Sequence, residues 1–158
     1  MKNSKTKNLT VGALTSAVYV VITLIMSLTG LSSGVIQIRL SEALCILPCF
    51  CPYTIGGLFI GCIIANLLTG AMLLDVIFGS IATLIGAIGT YLLRKNKYLA
   101  TLPPIIANTL IIPFVLSYVY GFEGSIIYFM VTVGIGEIIS CGIFGIILYN
   151  FIKKTDIL

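Results

Sequence analysis

Charged residues are scarce in this 158-residue sequence, and histidine and tryptophan are absent from it. Only 9% of the residues are charged, whereas soluble domains carry roughly 25%. Without histidine, the chain lacks the commonest general base and a common zinc ligand. It also has no glycine-rich phosphate loop that ends in Lys-Ser or Lys-Thr. These absences argue against an enzyme, and we expect no catalytic residue, bound metal or cofactor in this chain.

Long apolar runs dominate what remains, since 59% of the residues are hydrophobic. A transmembrane helix needs about 20 apolar residues, and continuous runs exclude the alternating pattern of a membrane barrel. We therefore predict an all-α membrane bundle of six helices, which forms a single domain over residues 1–158. The second helix should be short, because its run of about twelve residues covers only ~18 Å of a ~30 Å hydrocarbon core. The runs are 9–31, 40–51, 53–74, 76–93, 102–120 and 125–152.

The basic residues indicate how the bundle lies in the membrane. Eight of the nine form three groups that six crossings place on one side: Lys2, Lys5 and Lys7; Arg94, Lys95 and Lys97; Lys153 and Lys154. Positive charge is retained in the cytoplasm. We therefore expect a multi-pass protein of the cell membrane with cytoplasmic tails at 1–8 and 153–158. Arg39 is the exception, which suggests either a functional role or an arginine that reaches lipid headgroups.

Five cysteines lie in or beside the apolar runs, at Cys45, Cys49, Cys51, Cys62 and Cys141. The pair Cys49 and Cys51 is a weak metal-binding signal, because no histidine completes the site. We interpret all five as reduced and mostly buried small hydrophobic residues.

A few polar residues interrupt the apolar runs, and each costs about 2.5 to 3.5 kcal/mol to insert at a helix centre unless it has a partner or a role. Four of them should meet at the outer side of the membrane, and Glu137 should lie about 18 Å along the last helix. An Arg39–Glu42 ion pair or simple helix packing would explain part of the set. The residues are Arg39, Glu42, Asn66, Asp75, Asn108 and Glu137.

Small residues four apart form a second pattern, as in Ala13 and Ala17 of the first helix and Gly57 and Gly61 of the third. Such pairs let helices approach closely. Internal packing is the ordinary interpretation, although the first helix could also present a face to a partner.

Three local stretches resemble a known family: Ile38-Arg-Leu-Ser-Glu-Ala-Leu44, Gly57-Leu-Phe-Ile-Gly-Cys-Ile-Ile-Ala-Asn66 and Asp75-Val-Ile-Phe-Gly-Ser-Ile-Ala-Thr-Leu84. Gly134-Ile-Gly-Glu137 looks like a fourth. Together with the length and the six predicted helices, they resemble the substrate-binding S components of energy-coupling factor transporters. Among these, the chain is most similar to the QueT family of queuosine precursor transporters.

The resemblance implies capture of 7-deazaguanine bases such as queuine or its aminomethyl precursor. A carboxylate can accept the ring N–H and the exocyclic amine, and a second carboxylate suits the cationic aminomethyl group. Glu137 is the first candidate for the guanine-like edge, Arg39 and Asn66 could bond the carbonyl, and Tyr118 or Phe122 could stack on the ring. The expected substrate-binding residues are Glu137, Asp75, Glu42, Arg39, Asn66, Asn108 and Tyr118.

The same resemblance implies partners: a transmembrane coupling protein, which docks on Ala13 and Ala17, and two cytoplasmic ATPases that use ATP. We also expect the chain to contact a small-molecule substrate and membrane lipid. We expect no nucleic-acid partner. Three alternatives stay open. The chain could be an S component for another vitamin such as riboflavin, a stand-alone proton-coupled carrier that uses Glu137 or Asp75, or a scaffold that transports nothing.

Overall fold

The computed structural model describes residues 2–29 and 38–155, and every regular element within those ranges is helical. This confirms the predicted all-α class and the six helices. They are α1 (Lys2–Leu28), α2 (Leu40–Cys49), α3 (Thr54–Leu68), α4 (Leu73–Leu92), α5 (Lys97–Tyr118) and α6 (Ile126–Thr155).

Four helices, α1, α4, α5 and α6, are long and apolar enough to cross a membrane. The predicted short second helix is confirmed, and α3 is shorter than predicted. It ends at Leu68 rather than near residue 74, because Gly70 has a φ of +75° that ordinary side chains rarely adopt. Of six predicted spans, length and composition therefore support four.

The chain termini also differ from the predicted boundaries. α1 begins at Lys2, so the predicted tail over 1–8 is helical from residue 2 onward. Lys153 and Lys154 belong to the last turn of α6. Residues 30–31 of the first predicted run, residue 1 and residues 156–158 of the predicted tails lie outside the described residues.

Large apolar side chains cover the outside of the bundle. On α4, for example, Leu73, Ile77, Ile81, Ile85 and Ile88 are exposed and recur every three or four residues. Such a stripe is unfavourable in water and suits lipid. The buried face of the same helix is small and polar. The exposed surface therefore agrees with a multi-pass membrane protein.

The helices α1, α3, α4, α5 and α6 pack as an arc in which α3 contacts α1 and α4, and α5 contacts α4 and α6. The short α2 lies inside this arc and contacts α1, α3, α4 and α6. It is a 3-10 helix, and its residues 41–48 are buried. A helix surrounded by protein need not span the bilayer, because protein rather than lipid meets its backbone groups.

Glycines set the closest helix contacts. A Cβ on Gly57 of α3 would collide with the backbone oxygen of Gly12 in α1. A Cβ on Gly86 of α4 would lie 2.7 Å from Cα of Pro104 in α5. The predicted role of Gly57 in internal packing is thus confirmed, and α1 and α3 touch backbone to backbone.

Candidate functional site

A polar cavity of about 420 Å³ lies at one end of the bundle, where α3 ends and α4 begins. It brings together three residues predicted from the sequence, Arg39, Asn66 and Asp75. Further polar lining comes from Thr23, Ser27 and Thr69, and Tyr120 and Phe122 supply aromatic rings. A site for a small polar molecule needs this mixture of a few polar groups and flat apolar surface.

The tight connection between α3 and α4 places Asn66 and Asp75 side by side. The backbone N–H of Ala71 donates to the carbonyl of Asn66 at 2.9 Å, which closes the turn around Gly70. Asp75 then falls in the first turn of α4, where the helix dipole favours a negative charge. Both side chains approach Gly79: an ideal Cβ on that residue would lie 3.3 Å from Asn66 Nδ2 and 3.3 Å from Asp75 Oδ1.

The two oxygens of the Asp75 carboxylate differ in their contacts. Oδ2 accepts a hydrogen bond from the Tyr120 hydroxyl at 2.8 Å. Oδ1 is buried and accepts none. The Arg39 guanidinium lines the same cavity and is near enough for its charge to interact with Asp75. The cavity therefore contains a carboxylate with spare acceptor capacity opposite an arginine.

Tyr120 and Phe122 form an aromatic wall on the connection between α5 and α6. Their ring centroids are 5.8 Å apart with an interplanar angle of 14°. The Tyr120 hydroxyl also accepts from the Met72 N–H at 3.3 Å. Burial raises the pKa of the Tyr120 phenol, and the Asp75 carboxylate raises it further, so the hydroxyl stays protonated and donates. Gly121, with a φ of +64°, makes the turn between the two rings.

Tyr118 does not belong to this wall. It is 76% exposed and stacks on Phe114 on the outer, apolar side of α5. Its position does not support the predicted contact with a substrate ring. Tyr120, two residues later and beyond the helix end, lies in the cavity instead.

Glu42 and Glu137 form a second polar group in the interior of the bundle. Glu42 is 1% exposed and accepts from the Tyr19 hydroxyl, from Cys45 Sγ at 3.0 Å and from Thr83 Oγ1 at 3.3 Å. Glu137 accepts from Cys141 Sγ at 3.2 Å. Neither carboxylate lines the cavity, so Glu42 lies deeper than its predicted place at the outer mouth.

Asn108 lies close to Glu137, and its Nδ2 is buried without a hydrogen-bond partner that meets ordinary geometry. A chain of contacts connects this deep group with the cavity. Asn66 Nδ2 approaches Cys62 Sγ at 3.6 Å, and Thr83 Oγ1 contacts both that sulfur at 3.5 Å and Glu42.

One group among the described residues could hold a metal, since donor atoms of Glu42, Glu137 and Cys141 lie within 4.8 Å of one another. Both carboxylates already accept hydrogen bonds from protein donors, so the geometry does not require an ion. The expected absence of a metal stays a prediction. All five cysteines are free, and Cys49 and Cys51 are only half-buried.

Ala13 and Ala17 are exposed on α1, as a docking face requires. Next to them a groove of about 370 Å³ runs between α1 and α3, lined by Gly12, Ala13, Ser16 and Gly56 among others. The partner that would dock there stays a prediction.

Several cavity residues were not predicted from the sequence. Thr23 and Ser27 lie four apart on α1, one and two turns after Tyr19, and this polar stripe on an apolar helix was an available signal. Gly79, which is buried beside Asn66 and Asp75 rather than in the lining of the cavity, gave no comparable signal, because a glycine in a membrane helix is common for packing alone.

Comparison with known proteins identifies the family. A family model described as the QueT transporter matches residues 9–154. A curated relative, the "Queuosine precursor transporter QueT" of Lactococcus lactis subsp. cremoris (strain MG1363), is 39% identical over 85 residues, which cover 54% of this chain and 50% of the relative. The chain thus spans about half the length of that relative. No solved structure matches this chain. Because the family model matches nearly the whole chain, the protein belongs to the family described as the QueT transporter.

Proposed function

We propose that this chain is the substrate-capturing S component of an energy-coupling factor importer for queuosine precursors, namely queuine and its aminomethyl-deazaguanine precursor. The cavity between α3, α4 and the α5–α6 connection is the observation that carries the proposal. It joins a carboxylate with a free acceptor, an arginine, a side-chain amide and two stacked rings within about 420 Å³.

Each of these groups matches part of a deazaguanine. The ring N–H and the exocyclic amine are donors, which suit the Asp75 carboxylate. The ring carbonyl is an acceptor, which suits Arg39 or Asn66. The flat ring suits the face of Phe122 or Tyr120. Asp75 takes the role first given to Glu137, since Glu137 does not line the cavity.

The deeper acids support a cationic ligand. Asp75, Glu42 and Glu137 are three buried carboxylates, and Arg39 is the basic residue close to them. Three acids beside one base favour a ligand that is cationic or rich in hydrogen-bond donors, and the aminomethyl group of the precursor is both. We assign Glu42, Glu137 and Asn108 to a layer beneath the ligand, connected to it through Asn66, Cys62 and Thr83.

The proposed importer needs partners for energy. We propose that a transmembrane coupling protein docks on Ala13 and Ala17 and that two ATPases attached to it use ATP. The basic groups at Lys97 and Lys153 then lie in the cytoplasm with both chain termini, and the cavity, at the far end of α1, opens outward.

Isothermal titration of the detergent-purified chain tests the substrate assignment. We expect queuine and its aminomethyl precursor to bind and riboflavin not to bind. Asp75→Ala should weaken base binding by at least about 10-fold, because it removes a charge-assisted acceptor. Glu123→Gln is the matched control, since this carboxylate is exposed in the α5–α6 connection and outside the cavity lining. Binding of riboflavin without either base would overturn the assignment.

A second candidate function is a stand-alone proton-coupled carrier, which the facing carboxylates of Glu42 and Glu137 favour. Two carboxylates in a low-dielectric interior readily share a proton. Purified protein in liposomes without ATPases distinguishes the two functions. Uptake driven by a pH gradient would support the carrier, whereas uptake only with the coupling protein and ATPases would support the importer.

A further inference from the structure

The floor of the cavity holds an unusual pair of atoms. Asp75 is 6% exposed, and its Oδ1 accepts no hydrogen bond. Asn66 is 2% exposed, and its Nδ2 donates to the Cys62 sulfur at 3.6 Å, which is a weak partner. Buried acceptors and donors are normally satisfied, so a carboxyl oxygen and an amide N–H in this state point to a ligand that supplies the missing partners.

Gly79 marks the place on α4 where these two side chains meet. It offers only backbone where any other residue would place a Cβ 3.3 Å from both Asn66 Nδ2 and Asp75 Oδ1. The two atoms therefore lie close to the same point of α4, beside residues that line the cavity.

We infer that Asp75 Oδ1 and the Asn66 amide recognise a lactam edge, that is, a ring N–H next to a ring carbonyl, on a ligand in the cavity that both residues line. This inference rests on the proposed function and states which residue contacts which atom of the ligand. Asp75 accepts from the ring N–H, and Asn66 donates to the adjacent carbonyl oxygen.

The pairing excludes the amidine edge of the corresponding 6-amino ring. There the ring nitrogen is an acceptor and faces the Asp75 carboxylate, and the amine is a donor and faces the Asn66 N–H. An acceptor then faces an acceptor at Asp75, and a donor faces a donor at Asn66. Sites built around buried polar groups discriminate strongly against a ligand that leaves those groups unpaired.

The test compares 7-deazaguanine with 2,6-diamino-7-deazapurine, which keeps the ring and the 2-amino group and exchanges the lactam for an amidine. Titration of the wild-type chain should show a preference for 7-deazaguanine of at least about 100-fold. Asp75→Asn should reduce the preference by at least about 10-fold, because the new amide can donate to the ring nitrogen. Asp75→Asn combined with Asn66→Asp should reverse it, since donor and acceptor then exchange places.

Gly79→Ala provides an independent arm. The new Cβ crowds Asn66 Nδ2 and Asp75 Oδ1. It should weaken 7-deazaguanine binding by at least about 10-fold, because it displaces the charge-assisted contact that Asp75 makes with the ring. Gly134→Ala is the control, because a Cβ there meets its neighbours only at an ordinary 3.5 Å.

The outcomes separate this inference from the proposed function. If wild-type protein binds neither ring nor queuine, the proposed function fails. If it binds both rings equally, or if Asp75→Asn keeps the full preference for the lactam, the lactam assignment is wrong while base binding stands. All of these outcomes come from the wild type or from the single isosteric variant Asp75→Asn. They can therefore be interpreted even if the double variant does not fold.

Discussion

Tyr19 is the residue on which the buried acid Glu42 depends most directly. Its hydroxyl donates to a carboxylate that is 1% exposed, and Tyr19 itself is 2% exposed. A carboxylate oxygen of Glu42 lies within 4.8 Å of one of Glu137. Two acids this close are tolerated when hydrogen-bond donors such as the Tyr19 hydroxyl, or a proton, offset the repulsion between them. The polar interior is tolerated because each acid has neutral partners.

Tyr19→Phe removes that donor without changing the shape of the core. We expect a loss of about 1–2 kcal/mol in the free energy of unfolding, because a buried acceptor loses a partner and water cannot replace it. Thermal unfolding in detergent measures the change. Tyr128→Phe is the matched control, since Tyr128 is 51% exposed on α6.

A double-mutant cycle with Glu42→Gln checks the cause. If the Tyr19 hydroxyl acts through the carboxylate, the loss on Tyr19→Phe should shrink in the Glu42→Gln background. An unchanged loss would mean that the ring, rather than the hydrogen bond, determines stability.

The residue scale also shows what sequence reasoning can locate. Polar groups in apolar runs are few, so depth along each helix was sufficient to find Arg39, Asn66 and Asp75 near one end. The depth of a residue along a helix does not specify the direction in which its side chain points near the end of that helix. Tyr118 and Tyr120 differ by two residues, yet one faces lipid and the other the cavity, because α5 stops between them.

At the scale of elements, the contact between α1 and α3 depends on the absence of one side chain. A Cβ at Gly57 would overlap the Gly12 carbonyl, whereas a Cβ at the neighbouring Gly56 would meet nothing within 4 Å. Gly57→Ala should destabilise the bundle by about 1–3 kcal/mol through overpacking. Gly56→Ala should be neutral or stabilising, since alanine is the better helix former. Thermal unfolding of the two variants makes the comparison, and equal effects would contradict this account of the contact.

The helices themselves were largely predictable, because long apolar runs leave few alternatives to a helix in lipid. Their ends were not. Polar residues 2–8 continue α1, and Gly70 stops α3 six residues before its apolar run ends. The 3-10 form of α2 and the π-helical segment Ile138–Phe144 within α6 depend on packing around them, which hydropathy does not encode.

For the whole molecule, the cavity and the proposed docking face meet α1 at different positions along its length. Thr23 and Ser27 border the cavity, whereas Ala13 borders the groove between α1 and α3. Ten residues of helix separate Ala13 from Thr23, a distance of about 15 Å. The sequence placed Ala13 and Ala17 on α1 but did not assign Thr23 and Ser27 to the cavity. The side on which each surface opens and the cytoplasmic position of the termini stay predictions.

This separation predicts that capture and uptake can be uncoupled. Ala13→Leu combined with Ala17→Leu adds bulk to the exposed face of α1 and should block close approach of a partner helix. Queuine binding by the purified variant should stay within about 2-fold of wild type, well under 1 kcal/mol. Co-purification with the coupling protein and cellular uptake should both be lost. Val131→Phe adds similar bulk to an exposed face of α6 and should leave all three unchanged. Normal uptake by the double variant would place the docking surface elsewhere, while loss of queuine binding would mean that α1 transmits changes along its length to the cavity.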